Sequence, residues 1–295
     1  MNKSPDEILQ IITEKISTNY ENIIQLRKDF EELYLQFSSK QNLKVEKQTI
    51  EGIDSFKISA DHVTEDHLIL FFHGGNFIAG STKDHLDLCG KLSSLSGTPV
   101  LSIDYRLAPE HEFPAAVEDC VISYLWLLKQ GFNPSKIIIA GISSGATLVL
   151  STLLSLRSNG VKLPAAAVCM SPSVDMLFQG QSIFLNRGKD WLTPGELDDI
   201  REIYLKGEDP KNILASPLYA DLHGLSPILL QAGSHELLLD DIIKFHKKAM
   251  DSNVEVTFEL WKGMFHCFQM FTSNINEGQK AIENAGTYIK KKLSI

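Results

Sequence analysis

The feature that most constrains the fold is a repeated alternation of short apolar segments with helix-like stretches. Strands buried on both faces of a parallel sheet are near-continuous apolar runs, and the crossovers between them need a dozen or more residues. The apolar segments are residues 67–72, 100–103, 137–140, 165–170, 228–231 and 254–260. The alternation therefore predicts an α/β fold, with a mostly parallel sheet flanked by helices.

Two more strands are predicted ahead of this pattern. Residues 43–58 contain two short stretches with alternating polar and apolar side chains, separated by Glu51-Gly52. Such a pair of stretches around a glycine-containing turn is typical of an antiparallel hairpin. Together with the six segments above, the hairpin predicts a sheet of about eight strands.

Two regions fall outside the alternation. Apolar residues at helical spacing predict two amphipathic helices in the first ~40 residues. Residues 173–225 are a long stretch of turns and short helical pieces, and insertions of this length are usually functional. We expect the 295 residues to form one domain, in which residues 1–42 and part of 173–225 make a helical cap. Four apolar side chains of the insertion either wall a pocket or pack in the core: Met176, Phe178, Phe184 and Trp191.

Composition narrows the class of protein. The net charge of -9 disfavours nucleic acid as a partner. No apolar run approaches the ~20 residues that span a bilayer, and the first residues lack the pattern of a signal peptide, so a cytoplasmic location is expected. The four cysteines are widely spread, which favours reduced core thiols over disulfides or a zinc site. We expect neither a metal nor a cofactor.

A candidate nucleophile follows the segment 137–140. Residues 141–145 read Gly-Ile-Ser-Ser-Gly and open a predicted helix. A nucleophilic serine on a sharp strand-to-helix turn carries small residues two positions before and two after it, because the chains approach closely there. The position predicts Ser143 as the nucleophile. The alternative is a glycine-rich helix start with a structural role only.

A candidate oxyanion hole follows the segment 67–72. His73 is followed by Gly74 and Gly75, and glycines without a Cβ let main-chain N–H groups point at a developing negative charge. The sequence predicts Gly74 and Gly75 as two donors, with the N–H of Ser144 at the helix start as the third. As a dipeptide alone, Gly-Gly is more often a simple turn.

His266 is the candidate general base, because a neutral imidazole can accept the serine proton and later return it. It follows the last predicted strand, and the chain order of serine, acid and histidine supports it. The acid is expected after the segment 228–231, where three carboxylates occur: Glu236, Asp240 and Asp241. The two aspartates also suit a helix start, where the helix dipole favours negative charge.

These segments resemble the hormone-sensitive-lipase-like esterases (bacterial family IV) of the α/β-hydrolase fold. The resemblance rests on Phe72-His73-Gly74-Gly75-Asn76, on residues 104–110 (Asp-Tyr-Arg-Leu-Ala-Pro-Glu) with 113–116, on 216–220, and on the Gly-Met-x-His setting of 263–266. It covers the chain from about residue 68 onwards. Aligned with the family's acid motif, it implies Glu236 as the triad acid, with Asp240 as the alternative.

The resemblance implies a serine carboxylesterase that acts on short-acyl esters through an acyl-enzyme intermediate. A non-catalytic small-molecule receptor on the same fold and an amidase are the alternatives. A homodimer is also compatible with the sequence. Asp104 and Arg106 are interpreted as structural residues that form ion pairs near the active-site loops, and Cys267 as a small buried side chain.

The chain departs from the family at the nucleophile. Where the family has Gly-Asp-Ser-Ala-Gly-Gly, this chain has Ile142, Ser144 and Ala146 at the second, fourth and sixth positions. Any polar contact made by the family's aspartate is therefore lost, and the Ser144 hydroxyl is added near the oxyanion hole. These changes bear on the level of activity and on acyl preference rather than on the type of reaction.

Overall fold

An eight-stranded sheet forms the centre of the protein in this computed structural model, which describes residues 3–16, 20 and 22–295. The strand order is β1-β2-β4-β3-β5-β6-β7-β8. The β1/β2 and β2/β4 pairs are antiparallel and the other pairs are parallel. The strands are β1 (Lys44–Ile50), β2 (Ile53–Ser59), β3 (Leu68–Phe72), β4 (Val100–Ile103), β5 (Ile137–Ile142), β6 (Ala166–Met170), β7 (Ile228–Gly233) and β8 (Val256–Trp261). The predicted hairpin and parallel sheet are confirmed.

The burial of the central strands explains their composition. Every residue of β3, β5, β6 and β7 is buried, as expected for parallel strands covered on both faces by helices. The edge strands β1 and β8 have exposed residues and a more polar sequence. All four cysteines are buried and free, in agreement with their interpretation as core thiols.

The helices lie between the strands and in the two regions predicted as a cap. Two of them begin with a capping box, in which Ser4 caps α1 and Thr193 caps α7. The helices are α1 (Pro5–Lys15), α2 (Ile23–Phe37), α3 (Leu86–Ser96), α4 (Ala115–Lys129), α5 (Ser144–Ser158), α6 (Ser182–Leu185), α7 (Pro194–Leu205), α8 (Leu239–Asp251) and α9 (Asn276–Leu293). Both predicted N-terminal helices are present as α1 and α2.

The bounds of several strands differ from the prediction by one or two residues, and one helix was not predicted. Helix α3 was missed, although Leu88, Leu92 and Leu95 have helical spacing. Strand β5 extends two residues further, to Ile142, and so reaches the nucleophile turn. Strand β8 starts at Val256 rather than at residue 254, because the N–H of Val254 bonds to Ala249 O at the end of α8.

None of the helices within the described residues combines the length and apolar character that a membrane crossing requires.

Candidate active site

Ser143 lies on the turn between β5 and α5, at the carboxyl edge of the sheet. Its backbone has φ 54 and ψ −125, a conformation that L residues rarely adopt and that stores strain. The turn is tight because a Cβ at Gly141 would lie 2.4 Å from Gly145 O, and a Cβ at Gly145 would lie 2.0 Å from Phe72 O. The glycines on both sides of the serine are therefore required by close backbone contacts.

Ser143, His266 and Glu236 form one hydrogen-bonded chain. Ser143 Oγ lies 2.8 Å from His266 Nε2, and His266 Nδ1 lies 3.2 Å from Glu236 Oε2. The other oxygen of Glu236 accepts bonds from Gly233 N at 2.5 Å and from Ser171 Oγ at 2.7 Å. Because the carboxylate accepts at Nδ1, the proton of a neutral His266 is held there and Nε2 is left to accept from the serine hydroxyl.

The environment of His266 shifts its proton affinity upward. Burial lowers the pKa of the imidazole, but the adjacent Cys267 and the bonded Glu236 raise it by more, so that it lies well above the ordinary value. His266 and Glu236 are both fully buried. A base with a raised pKa binds the serine proton more strongly, which favours its transfer from a hydroxyl.

The two aspartates near Glu236 have other contacts. Asp240 and Asp241 lie in the first turn of α8, as expected for residues that interact with the helix dipole. Asp240 Oδ2 accepts a hydrogen bond from Ser182 N at 2.9 Å, and Asp241 forms an ion pair with Lys244. Of the three carboxylates considered from the sequence, Glu236 is the one hydrogen-bonded to the histidine.

The structure corrects one predicted oxyanion donor. The N–H of Gly74 donates to His85 Nε2 at 3.1 Å, so this N–H is not free to bind a substrate oxygen. Among the described residues, the N–H groups of Gly75 and Ser144 donate to no protein acceptor. The N–H of Asn76 is equally unengaged, and Asn76 lies with Ser143 in the lining of both active-site cavities described below. The sequence did not predict Asn76 as an oxyanion donor, because the prediction looked only for glycines after the strand.

The loops that carry Glu236 and His266 are joined by Asp190, a buried carboxylate from the insertion 173–225. Asp190 Oδ1 accepts from His266 N at 3.0 Å and Oδ2 from Leu237 N at 2.8 Å. The next residue, Trp191, donates its indole N–H to His266 O at 2.8 Å. Burial raises the pKa of Asp190 to about 6, with the charge of Glu236 adding to the effect. No motif in the sequence indicated this contact.

Within the described part of the chain, we consider two cavities whose lining includes Ser143. The first encloses about 280 Å³ of empty space and has an apolar wall formed by Phe77, Phe178, Leu192, Leu197, Ile200 and Leu238. The second encloses about 230 Å³ and is lined by Phe30, Tyr34 and Trp191, together with Met270, Cys267 and the glycine loop.

The four apolar side chains considered for the pocket separate into three groups. Phe178 and Trp191 line the cavities, and Met176 is buried in the core. Phe184 is 70% exposed, so the expectation that it lines a pocket or packs in the core is wrong. It lies on the four-residue helix α6, next to the similarly exposed Leu185.

The departures at the nucleophile turn are accommodated by apolar packing. Ile142 and Ala146 are fully buried, and Ile142 lines the second cavity where the family has an aspartate. Ser144 is also buried. Cys267 is buried beside His266, as interpreted from the sequence.

Asp104 and Arg106 find separate partners. The guanidinium of Arg106 pairs with Asp119 at 2.8 Å, while Asp104 Oδ1 accepts from Thr82 N at 2.7 Å. Asp119 raises the pKa of Arg106 through this bond. Arg106 therefore forms the ion pair that was expected. Asp104 instead accepts a hydrogen bond from the main-chain N–H of Thr82.

The sequence and the structure are similar to those of known hydrolases. A family model described as an alpha/beta hydrolase fold matches residues 69–270. An acetyl-hydrolase from Streptomyces hygroscopicus is 42% identical over 223 residues, which are 75% of this chain and 75% of that protein. An esterase from Acinetobacter venetianus is 34% identical over 265 residues, 89% of this chain and 87% of that protein. A crystal structure of an esterase from the bacterial hormone-sensitive lipase family has a TM-score of 0.95 at 37% identity and covers 99% of this chain and 100% of its own.

Proposed function

This chain belongs to the hormone-sensitive-lipase-like carboxylesterases of the α/β-hydrolase fold, and we propose that Ser143, His266 and Glu236 carry out its hydrolysis of short-acyl esters. The observation that carries the proposal is the unbroken hydrogen-bond chain from Ser143 Oγ through His266 to Glu236. This order of groups activates a serine hydroxyl by removing its proton as it attacks.

In the proposed mechanism, Ser143 Oγ attacks the ester carbonyl while His266 Nε2 takes its proton. The negative charge that develops on the carbonyl oxygen is stabilised by the N–H groups of Gly75 and Ser144, with Asn76 as a further donor. The bond to the alcohol then breaks, and His266 returns the proton to the departing oxygen. A water molecule attacks the acyl-enzyme in the same way, which releases the acid and restores Ser143.

The proposed preference for small acyl groups is supported by the bulky apolar side chains that line the two cavities beside Ser143. It is also supported by the Streptomyces relative, which is named an acetyl-hydrolase. We therefore expect acetyl and butyryl esters to be better substrates than octanoyl esters.

We also propose that residues 1–42 and part of 173–225 act as a cap over this site within a single domain. Phe30 and Tyr34 of α2 contribute to one cavity, and Leu197 and Ile200 of α7 contribute to the other. Helix α2 is attached beside the glycine loop by Arg27, whose guanidinium donates to Ile78 O and Ala108 O. Residues 1, 2, 17–19 and 21 of the proposed cap lie outside the described part of the chain.

A homodimer is the assembly we propose. Strands β1 and β8 are at the edges of the sheet and leave main-chain groups open to pairing. Exposed apolar side chains lie near the β8 edge, at Ile243, Met250 and Leu260. Light scattering after size exclusion should give twice the 32.9 kDa chain mass, whereas the mass of one chain at all concentrations would contradict the proposal.

The experiment that tests the proposed function compares turnover of p-nitrophenyl acetate, butyrate and octanoate by wild type, Ser143→Ala and Ser158→Ala. Ser158 is an exposed serine at the end of α5 and serves as the matched control. We expect turnover with a preference for short chains in wild type and the control, and none in Ser143→Ala. Full activity of Ser143→Ala would contradict the proposal, and faster cleavage of p-nitroacetanilide than of the esters would favour the amidase alternative.

A further inference from the structure

The peptide groups around Gly74 are held from both sides by buried imidazoles. The N–H of Gly74 donates to His85 Nε2 at 3.1 Å, and Gly74 O lies 2.8 Å from His73 Nδ1. His85 Nδ1 lies 3.0 Å from Ser81 O. A carbonyl can only accept, so the ring proton of His85 is on Nδ1 and Nε2 is the acceptor for Gly74.

The same reasoning assigns the ring proton of His73. Gly74 O can only accept, so His73 carries its proton on Nδ1 and donates it to that oxygen. In a trans peptide, the C=O of one residue and the N–H of the next point in opposite directions. Fixing Gly74 O by His73 therefore fixes the direction of the Gly75 N–H, which has no acceptor among the described residues.

His85 must stay uncharged for its Nε2 to accept from Gly74, whereas His73 can donate from Nδ1 in either charge state. Burial lowers the pKa of His73 to about 4, and burial together with His73 lowers the pKa of His85 to about 3. A charged His85 would present an N–H to the Gly74 N–H and break the contact. His85 is only 2% exposed and lies against the rings of His73, Tyr34 and Phe71, so water cannot easily replace it as the acceptor.

We propose that His85 is a positioning residue for ester hydrolysis: it holds the His73–Gly74 peptide through the Gly74 N–H, so that His73 bonds to Gly74 O and the Gly75 N–H faces the developing oxyanion. The proposal rests on the proposed function, because it takes Gly75 as an oxyanion donor. His85 lines the second cavity, but it forms no hydrogen bond with Ser143 or His266. Its effect should therefore be seen in the binding of the transition state and not in the binding of the ester.

The test uses His85→Phe, His85→Gln and the control His246→Phe. Phenylalanine fills the space but leaves the Gly74 N–H without an acceptor, whereas the oxygen of glutamine can accept from it. His246 lies on α8, where its ring stacks on Phe258 away from the active site. Circular dichroism and thermal unfolding establish that each variant is folded before its kinetics are measured.

The inhibition constants of two compounds distinguish a loss of oxyanion positioning from general damage to the active site. A short alkyl trifluoromethyl ketone is attacked by Ser143 Oγ, the hydroxyl proton passes to His266 Nε2, and the carbonyl oxygen becomes an oxyanion. The corresponding secondary alcohol fills the same space without forming that charge. The covalent bond to Ser143 is common to wild type and the His85 variants, so the change in the ratio of the two constants reports the change in stabilisation of the oxyanion.

We expect His85→Phe to lower kcat on p-nitrophenyl acetate by about tenfold to a hundredfold, since complete loss of one oxyanion donor costs roughly 10²–10³. Affinity for the ketone should fall by a similar factor, while KM and affinity for the alcohol should change less than threefold. His85→Gln should recover at least part of both losses, and His246→Phe should match wild type.

Two outcomes would overturn the proposal. One is a folded His85→Phe with wild-type kcat and ketone affinity, and the other is an equal loss of affinity for ketone and alcohol. Ser143→Ala in the same assay distinguishes this failure from failure of the proposed function. An active Ser143→Ala refutes the nucleophile, whereas an inactive Ser143→Ala beside an unaffected His85→Phe refutes only the positioning role.

Discussion

Replacing Glu236 with glutamine should disable catalysis by reversing the tautomer of His266. One oxygen of Glu236 accepts bonds from Gly233 N and Ser171 Oγ, and the other faces His266 Nδ1. A glutamine can keep the first two bonds only if its oxygen takes the first position. Its amide nitrogen then faces the imidazole and donates to Nδ1.

The size of the effect follows from this geometry. When a proton donor faces Nδ1, a neutral His266 carries its own proton on Nε2. Nε2 then points an N–H at the hydroxyl of Ser143 and can no longer accept the hydroxyl proton. An equivalent amide substitution in a serine protease triad lowers kcat by roughly 10⁴ while the geometry is retained. We expect a loss of that order in kcat for Glu236→Gln, equivalent to about 5 kcal/mol of transition-state stabilisation, with little change in KM.

The assay is steady-state hydrolysis of p-nitrophenyl butyrate, with Asp240→Asn as the matched control. Asp240 lies four residues from Glu236 and accepts a bond from Ser182 N, with no contact to the histidine. Asp240→Asn should remain within a few-fold of wild type. Near wild-type kcat in a folded Glu236→Gln would refute the reasoning, and a large loss confined to Asp240→Asn would transfer the role of acid to Asp240.

Three further predictions concern the base, the buried carboxylate and the nucleophile turn. Because His266 must be neutral to act as base and its pKa is raised, kcat/KM should rise with pH through a midpoint above the ordinary 6.5, and a flat profile or a midpoint below 6.5 would contradict this. Asp190→Ala removes the acceptor of three main-chain N–H groups; urea unfolding should show a loss of about 3 kcal/mol or more, with at least a tenfold lower kcat. Gly145→Ala would place a Cβ 2.0 Å from a β3 carbonyl and should abolish activity or folding, whereas Gly195→Ala, with open space in α7, should keep full activity and gain up to about 1 kcal/mol. An active, stable Gly145→Ala would show that the turn tolerates a side chain.

Sequence reasoning was most successful where a feature depends on residues close together in the chain. The strands were recognisable because burial on both faces demands a continuous apolar run, and β3, β5, β6 and β7 are buried throughout. The nucleophile turn was recognisable because the contacts that exclude side chains at Gly141 and Gly145 recur at a fixed spacing around the serine. Element type, the antiparallel hairpin and the candidate Ser143 followed from such local patterns.

Only the tertiary structure decided which distant groups meet. Glu236 and Asp240 were equivalent as carboxylates, and the packing of the loop after β7 brought Glu236 to His266. The occupied N–H of Gly74 could not be foreseen, because its acceptor, His85, is eleven residues away and follows no motif that we used. Asp190 lies 76 residues from His266, yet it accepts the main-chain N–H of that residue. Hydrogen bonds of this kind depend on how elements pack in space, and a single sequence records their donors and acceptors without recording their distances.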